Sequence, residues 1–139
     1  MKNKKLITQE EYFKEAVRYY KNAKNLLKQT KVEYNRYQDL KHVRESASTC
    51  YLSVLFAING YLIKRGIPAD RIPTSITQYW ELLNKNLVHN GKIKSAFQTV
   101  YEILHITGYY RGTGDVNAIK GGFEKAKLVI ETLTGEKIK

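Results

Sequence analysis

The sequence predicts an all-α protein, an up-and-down bundle of four to five helices. Three observations favour this fold class: apolar residues recur at threes and fours in five segments, no stretch alternates with a period of two, and turn-forming residues separate the segments. The chain has 139 residues, of which 42% are hydrophobic, which suits a single domain with one core. We therefore expect one domain over 1–139, with flexible tails at 1–7 and 136–139.

The first helix is predicted to begin at Thr8, because Thr8 and Glu11 have the spacing of a capping box. Its apolar face is formed by Tyr12, Ala16, Tyr20, Ala23 and Leu27. Its opposite face carries a basic stripe, formed by Lys14, Arg18, Lys21, Lys24 and Lys28. The residues from 30 to 37 have no clean period, and we interpret them as a connection or as the frayed end of the helix.

The second helix is predicted to run from Asp39, its N-cap, to Arg65. Apolar residues surround most of this helix, which is typical of an element buried on most sides. The small residues from 46 to 50 would let neighbouring helices approach closely. Gly66 and Pro68 end the helix in the usual order, so we expect it to be the centre of the bundle.

Two shorter helices follow a proline-containing loop. Apolar residues at helical spacing predict the third helix over 76–87 and the fourth over 93–104. Asn90-Gly91 is a turn signal between them.

The fifth helix is predicted over 116–133, after a glycine-rich loop at 108–114. Asp115 is its expected N-cap, and Gly135 lies just beyond its end. Gly121 and Gly122 are unfavourable inside a helix, which indicates that another element packs closely against them.

The composition disfavours metal, disulfide and cofactor sites. The single Cys50 cannot form an internal disulfide, and His42, His89 and His105 lack the spacing of metal ligands. The chain contains no nucleophile elbow, phosphate-binding loop or dinucleotide fingerprint. We expect no metal and no cofactor.

The distribution of apolar residues indicates a cytoplasmic protein. The N-terminus becomes acidic at Glu10, where a signal peptide would need an apolar stretch. The most apolar segment, about 50–63, is shorter than the ~20 residues that a membrane-spanning helix needs. We therefore expect no membrane association.

The charge is strongly positive, with 24 Lys and Arg against 13 Asp and Glu, a net +11. The basic stripe of the first helix has the pattern that neutralises phosphates, so it is a candidate nucleic-acid face. The alternative is a solvated lysine face that keeps a small protein soluble. The charge is spread evenly along the chain, which favours this alternative.

The loop at 108–114 combines two tyrosines and an arginine with flanking glycines. Tyr109 and Tyr110 offer stacking surfaces, and Arg111 offers a bidentate cation, a combination that suits a nucleotide or phosphate. Alternatively, the tyrosines fold onto the core and the glycines only make the turn, which is the more frequent use of such residues.

Three strings of the sequence resemble a small bacterial family catalogued as a domain of unknown function. They are Tyr37-Gln-Asp-Leu-Lys-His-Val43, Ser48-Thr-Cys-Tyr-Leu-Ser-Val-Leu55, and above all Leu104-His-Ile-Thr-Gly-Tyr-Tyr110. That family is similar in helical layout to the HEPN superfamily (higher eukaryotes and prokaryotes nucleotide-binding). The resemblance extends from the first helix to Leu133 and implies a bundle that forms homodimers.

Active members of that superfamily are metal-independent ribonucleases, often toxins paired with a nucleotidyltransferase partner protein. They use an Arg-x4-6-His motif near the start of the last long helix. Here Arg111 is near that place, but no histidine follows it. Arg36 and His42 have five residues between them but lie around the start of the second helix, far from the last long helix, which indicates a coincidence. The resemblance therefore implies binding without the usual catalytic pair.

We thus expect a non-catalytic HEPN-like homodimer that binds a nucleotide, RNA or a protein partner. The hypothetical site combines Asp39, Lys41, His105, Tyr109, Tyr110 and Arg111. In it, Lys41 and Arg111 would contact phosphate and the tyrosines would stack. Two alternatives stay open: an RNA-cleaving toxin that uses His42 or His105, and a structural adaptor that acts through its dimer face.

Overall fold

The computed structural model of this chain describes residues 8–139 and confirms the all-α prediction. Its helices are α1 (Gln9–Lys28), α2 (Leu40–Lys64), α3 (Ile76–Asn86), α4 (Gly91–Val100) and α5 (Val116–Thr134). A π-helix, Tyr101–Arg111, continues α4, and a short 3₁₀ turn lies at Ala69–Arg71. Two short strands, β1 (Val32–Glu33) and β2 (Arg36–Tyr37), form an antiparallel hairpin between α1 and α2.

Helix α2 is the centre of the bundle, as predicted, and packs against α1, α5 and the π-helix. The helix has 25 residues, and its most apolar 18-residue window has a mean hydropathy of 1.3, so by length and composition it could span a membrane, unlike the shorter segment 50–63 considered from the sequence. However, 61% of its most apolar window is buried inside the bundle, which is typical of a core helix. Asp39 caps it by accepting hydrogen bonds from the N–H groups of Lys41 and His42.

The contact between α1 and α2 depends on a glycine. A Cβ at Gly60 would lie 2.5 Å from the ring of Phe13, so only glycine lets that ring pack directly on the α2 backbone. Thr8 caps α1 by accepting a hydrogen bond from the Glu11 N–H at 3.1 Å, which confirms the predicted start.

The prediction of a glycine-rich loop at 108–114 is wrong for most of that segment. The chain stays helical to Arg111, and only Gly112–Gly114 forms the loop before Asp115. Gly108 serves close packing, because a Cβ there would lie 2.8 Å from the Cβ of Ala47. Gly122 has the same role, since its Cβ would lie 2.8 Å from Leu104 Cδ2. The π-helix is thus held closely between α2 and α5.

The connection from 30 to 37 contains a hairpin that the sequence analysis did not predict. Tyr34 and Asn35 have φ values of 52° and 59°, the left-handed conformations that a two-residue hairpin turn requires. The Tyr37 N–H donates to the Gly114 carbonyl at 2.8 Å, which joins the hairpin to the loop before α5. Each strand has two residues, too few for a period of two to be visible.

The C-terminal residues return to the bundle, which differs from the tail expected at 136–139. Ile138 is 5% exposed, and its N–H donates to Glu131 Oε2 at 2.7 Å. The tail expected at 1–7 lies outside the described residues.

Candidate functional site

An aromatic column, formed by Tyr51, Tyr101, His105 and Tyr109, joins the π-helix to α2. The last three residues recur at every fourth position and therefore share one face of the π-helix. The His105 ring centroid lies 4.6 Å from that of Tyr51, with planes 22° apart, and 5.9 Å from that of Tyr109, with planes 15° apart. Tyr101 packs against His105 at 5.5 Å. π-Helical turns are rare in proteins, and many of those that occur lie at functional sites.

The aromatic column runs from the core to the surface. Tyr51 is 8% exposed, His105 is half-buried and Tyr109 is 46% exposed. Burial raises the pKa of Tyr51 to about 12 and lowers the pKa of His105 from its ordinary value of 6.5. At neutral pH the column is therefore dominated by uncharged rings, with Tyr109 as its outer surface.

A shallow cleft of about 380 Å³ lies beside Tyr109, at the start of α2. It is lined by Leu40, Lys41, Arg44, Glu45, Ser48 and Tyr109. The structure thus brings together Lys41 and Tyr109, two residues of the predicted site that are far apart in the sequence. Lys41 Nζ is 3.8 Å from Glu45 Oε1, a distance at which an exposed ion pair contributes little.

Arg44 is a residue of the cleft that the sequence analysis missed. Its Nη2 donates to the carbonyl oxygen of Arg111 at 3.2 Å, so the guanidinium spans from α2 to the end of the π-helix. Gly112 has φ 76°, and a Cβ there would collide with the Arg44 guanidinium. Glycine at this position therefore permits both the turn and the placement of Arg44.

The other predicted residues lie around this cleft, outside its lining. Asp39 is the α2 N-cap, so its carboxylate already neutralises the positive end of the helix. Its Oδ2 lies 3.6 Å from His42 Nδ1. Tyr110 is 74% exposed, and Arg111 is exposed at the end of the π-helix. The structure assigns Asp39 a capping role and leaves Tyr110 and Arg111 on the adjoining surface.

The basic stripe of α1 is divided by the fold. Arg18 Nε lies 2.7 Å from Glu15 Oε2, so the charge of Arg18 is balanced locally. Lys24 and Lys28 line a groove that α1 shares with α5, whereas Lys14 and Lys21 lie outside it. The stripe predicted as one face thus contributes to two different environments.

Within residues 8–139, no three His, Cys, Asp or Glu side chains come together in an arrangement that could hold a metal ion. Cys50 is fully buried in α2, and burial raises the pKa of its thiol. The chemistry that the cleft offers is stacking on Tyr109 and pairing with Lys41 and Arg44.

Comparison with known proteins gives a solved structure and a family model that each match most of the chain. The chain is similar to the solved structure of a protein of unknown function from Dyadobacter fermentans, with 33% sequence identity and a TM-score of 0.76. The similarity covers 91% of this chain and 96% of that one. None of the curated proteins matches this sequence. Residues 11–135 match the family described as a domain of unknown function (DUF5618), and the chain therefore belongs to that family.

Proposed function

We propose that this protein binds single-stranded RNA, without cleaving it, at the cleft beside Tyr109. The observation that carries the proposal is the exposed end of the aromatic column beside two cations, Lys41 and Arg44. Proteins that bind single strands combine an aromatic ring on which a base stacks with cations that follow the phosphates. The net charge of +11 adds a general attraction for nucleic acid.

Arg44 is well suited to hold a phosphate, because its guanidinium is fixed by the bond from Nη2 to the Arg111 carbonyl. A planar guanidinium can donate two parallel hydrogen bonds to a phosphate, and anchoring reduces the entropy lost on binding. Lys41, whose side chain is 81% exposed, supplies a mobile second charge.

His105 does not line the cleft beside Tyr109, which supports binding over cleavage there. Its ring is stacked against Tyr51 and lies near-parallel to Tyr109, so it is a structural member of the column. A general acid or base must reach a substrate hydroxyl within hydrogen-bonding distance. The ribonuclease motif Arg-x4-6-His is also missing after Arg111.

We further propose that the bundle is HEPN-like and homodimeric, as the sequence resemblance implies, and cytoplasmic, as the distribution of apolar residues indicates. Light scattering coupled to size-exclusion chromatography tests the dimer, because a homodimer has twice the chain mass of 16.1 kDa.

Fluorescence anisotropy with a labelled 12-nucleotide uridine strand tests RNA binding. Tyr109→Ala should weaken binding roughly 5- to 160-fold, since base stacking contributes about 1–3 kcal/mol. Tyr34→Ala is the matched control, because Tyr34 is 98% exposed at the hairpin tip, outside the cleft lining. Arg44→Gln should weaken binding and reduce its salt dependence, whereas Arg71→Gln, in the 3₁₀ turn, removes the same charge outside the cleft.

Two outcomes would replace RNA binding with the alternatives. Cleavage of the uridine strand that is abolished by His105→Ala would favour the toxin. A dimer with no salt-dependent affinity for the strand would favour the structural adaptor.

A further inference from the structure

We propose that the groove between α1 and α5 binds an extended acidic segment of a partner protein. This lysine groove has a volume of about 560 Å³ and is separate from the cleft beside Tyr109. Its charged lining consists of Lys24 and Lys28 from α1, Lys120 and Lys127 from α5, and Glu124.

The charges of the lysine groove lack local compensation. Within residues 8–139, none of its four lysines has a carboxylate within the 4 Å of an ion pair, and Glu124 is the groove's one acidic residue. By contrast, Arg18 on the same helix is paired with Glu15 at 2.7 Å. Four lysines from two helices line this groove beside a single carboxylate, which gives it an excess of positive charge for a negatively charged ligand.

The spacing of the lysines favours an extended ligand with several charges. Lys24 and Lys28 are one turn apart, roughly 6 Å along α1, and Lys120 and Lys127 are two turns apart, roughly 10 Å along α5. In an extended peptide, alternate side chains on one face recur at about 6.6 Å. A peptide with acidic residues at alternate positions could therefore face lysines on both walls.

Apolar residues form the floor of the groove between its lysines, which favours a peptide with apolar side chains between its acidic ones. Leu27 and Phe123 of this floor are 9% and 4% exposed, so Val32 supplies most of its accessible surface. Val32 is 46% exposed in an edge strand, and the neighbouring Tyr34 is 98% exposed. Exposed apolar residues beside a polar rim are typical of a protein interface, and tyrosine is frequent among residues that dominate binding energy.

The burial of the groove's rings favours a peptide over RNA. Tyr20, Tyr37 and Phe123 are 2%, 5% and 4% exposed, so none offers a free face to a base. The Tyr20 hydroxyl is also engaged, since it donates to the Phe123 carbonyl at 3.3 Å. Stacking surfaces of the kind that single-stranded RNA needs are present at Tyr109 instead.

A labelled peptide of four Glu-Leu repeats is the probe, and binding is measured by fluorescence anisotropy at low and high salt. The full chain should bind this probe, and binding should weaken as salt screens the charges. A peptide of four Glu-Ser repeats, with the same charge, should bind at least fivefold more weakly because it cannot cover the floor. Equal binding of the two peptides would overturn the proposal.

Substitutions in the protein test whether the peptide binds in the lysine groove. The double variant Lys24→Gln/Lys120→Gln should weaken binding at least tenfold. Lys14→Gln/Lys21→Gln removes the same charge from exposed positions on α1 outside the groove and should change binding less than twofold. Glu124→Gln should strengthen binding, because it removes the groove's one carboxylate. A loss in the control double variant as large as in the groove variant would reduce the effect to net charge and refute the site.

RNA provides the last arm of the experiment. The uridine strand should retain its affinity for Lys24→Gln/Lys120→Gln and bind Tyr109→Ala more weakly. The Glu-Leu peptide should bind Lys24→Gln/Lys120→Gln more weakly and retain its affinity for Tyr109→Ala. Displacement of the peptide by the uridine strand in the Tyr109→Ala variant would show that the groove is a nucleic-acid site and overturn the peptide assignment.

Discussion

Gly108 of the π-helix lies against Ala47 of α2 so closely that a Cβ at position 108 would be 2.8 Å from the Ala47 Cβ. The same Cβ would be 3.1 Å from Ile119 Cδ1 of α5. The π-helix therefore touches both α2 and α5 at a residue without a side chain, three positions after His105.

Gly108→Ala should destabilise the protein by about 1–3 kcal/mol, because the added methyl group overpacks a closed contact. Urea unfolding followed by circular dichroism measures the change. Gly121→Ala is the matched control: nothing lies within 4 Å of its Cβ position, so the substitution should stabilise α5 by up to about 1 kcal/mol. Equal stability of the two variants would contradict the close contact.

Tyr79→Phe should destabilise the bundle by about 1–3 kcal/mol. The Tyr79 hydroxyl donates to Asn59 Oδ1 at 2.7 Å in the interior, and its removal leaves a buried amide oxygen without this partner. Tyr34→Phe removes the same hydroxyl from a fully exposed ring and should leave the free energy of unfolding unchanged. A hydrogen bond contributes at least about 0.5 kcal/mol to stability. A smaller loss for Tyr79→Phe would therefore mean that water replaces the hydroxyl.

The starts of three helices were predictable because local side chains determine them. Thr8, Asp39 and Asp115 all cap helices as expected, since each accepts hydrogen bonds from the first turn through its own side chain. The close packing predicted from the two glycines inside α5 is present at Gly122 but absent at Gly121, which has nothing within 4 Å of its Cβ position.

The π-helix and the hairpin were not predictable from periodicity. Tyr101, His105 and Tyr109 recur at every fourth position, which an α-helix would also place on one face, so the pattern does not distinguish the two helix types. The Gly108 to Gly114 spacing favours a loop locally, but packing against α2 determines the conformation. In the hairpin, Tyr34 and Asn35 replace the Asn-Gly pair that usually marks such a turn.

The residues that come together in the cleft beside Tyr109 and in the lysine groove could not be predicted, because their proximity depends on tertiary packing. Arg44 has no distinguishing signal in the sequence and becomes part of the cleft only because the π-helix ends beside it. Similarly, Lys120 and Lys127 acquire a common environment with Lys24 through the packing of α5 near α1.

The stability of the protein should decrease as the pH falls below about 6.5. Burial lowers the pKa of His105, so in this window the unfolded chain binds more protons than the folded protein and acid favours unfolding. The full stability is present above the pKa that His105 has in the unfolded chain. It decreases progressively until the pH reaches the lower pKa that His105 has in the folded protein. Urea unfolding between pH 7.5 and 5 measures it, and NMR titration of the His105 ring should give a pKa below 6.5. His105→Asn, which cannot titrate, should lose this part of the pH dependence.

Gly112→Ala should weaken binding of the uridine strand more than its effect on stability explains. A side chain at φ 76° is strained by about 1–2 kcal/mol, and here the new Cβ would also displace the Arg44 guanidinium from the Arg111 carbonyl. Gly135→Ala is the matched control, because Gly135 has the same φ of 76° with nothing within 4 Å of its Cβ position. Both variants should lose similar backbone stability in urea, but only Gly112→Ala should lose affinity in the anisotropy measurement, by about as much as Arg44→Gln. Retained affinity in Gly112→Ala would mean that the fixed position of Arg44 is not what the RNA uses.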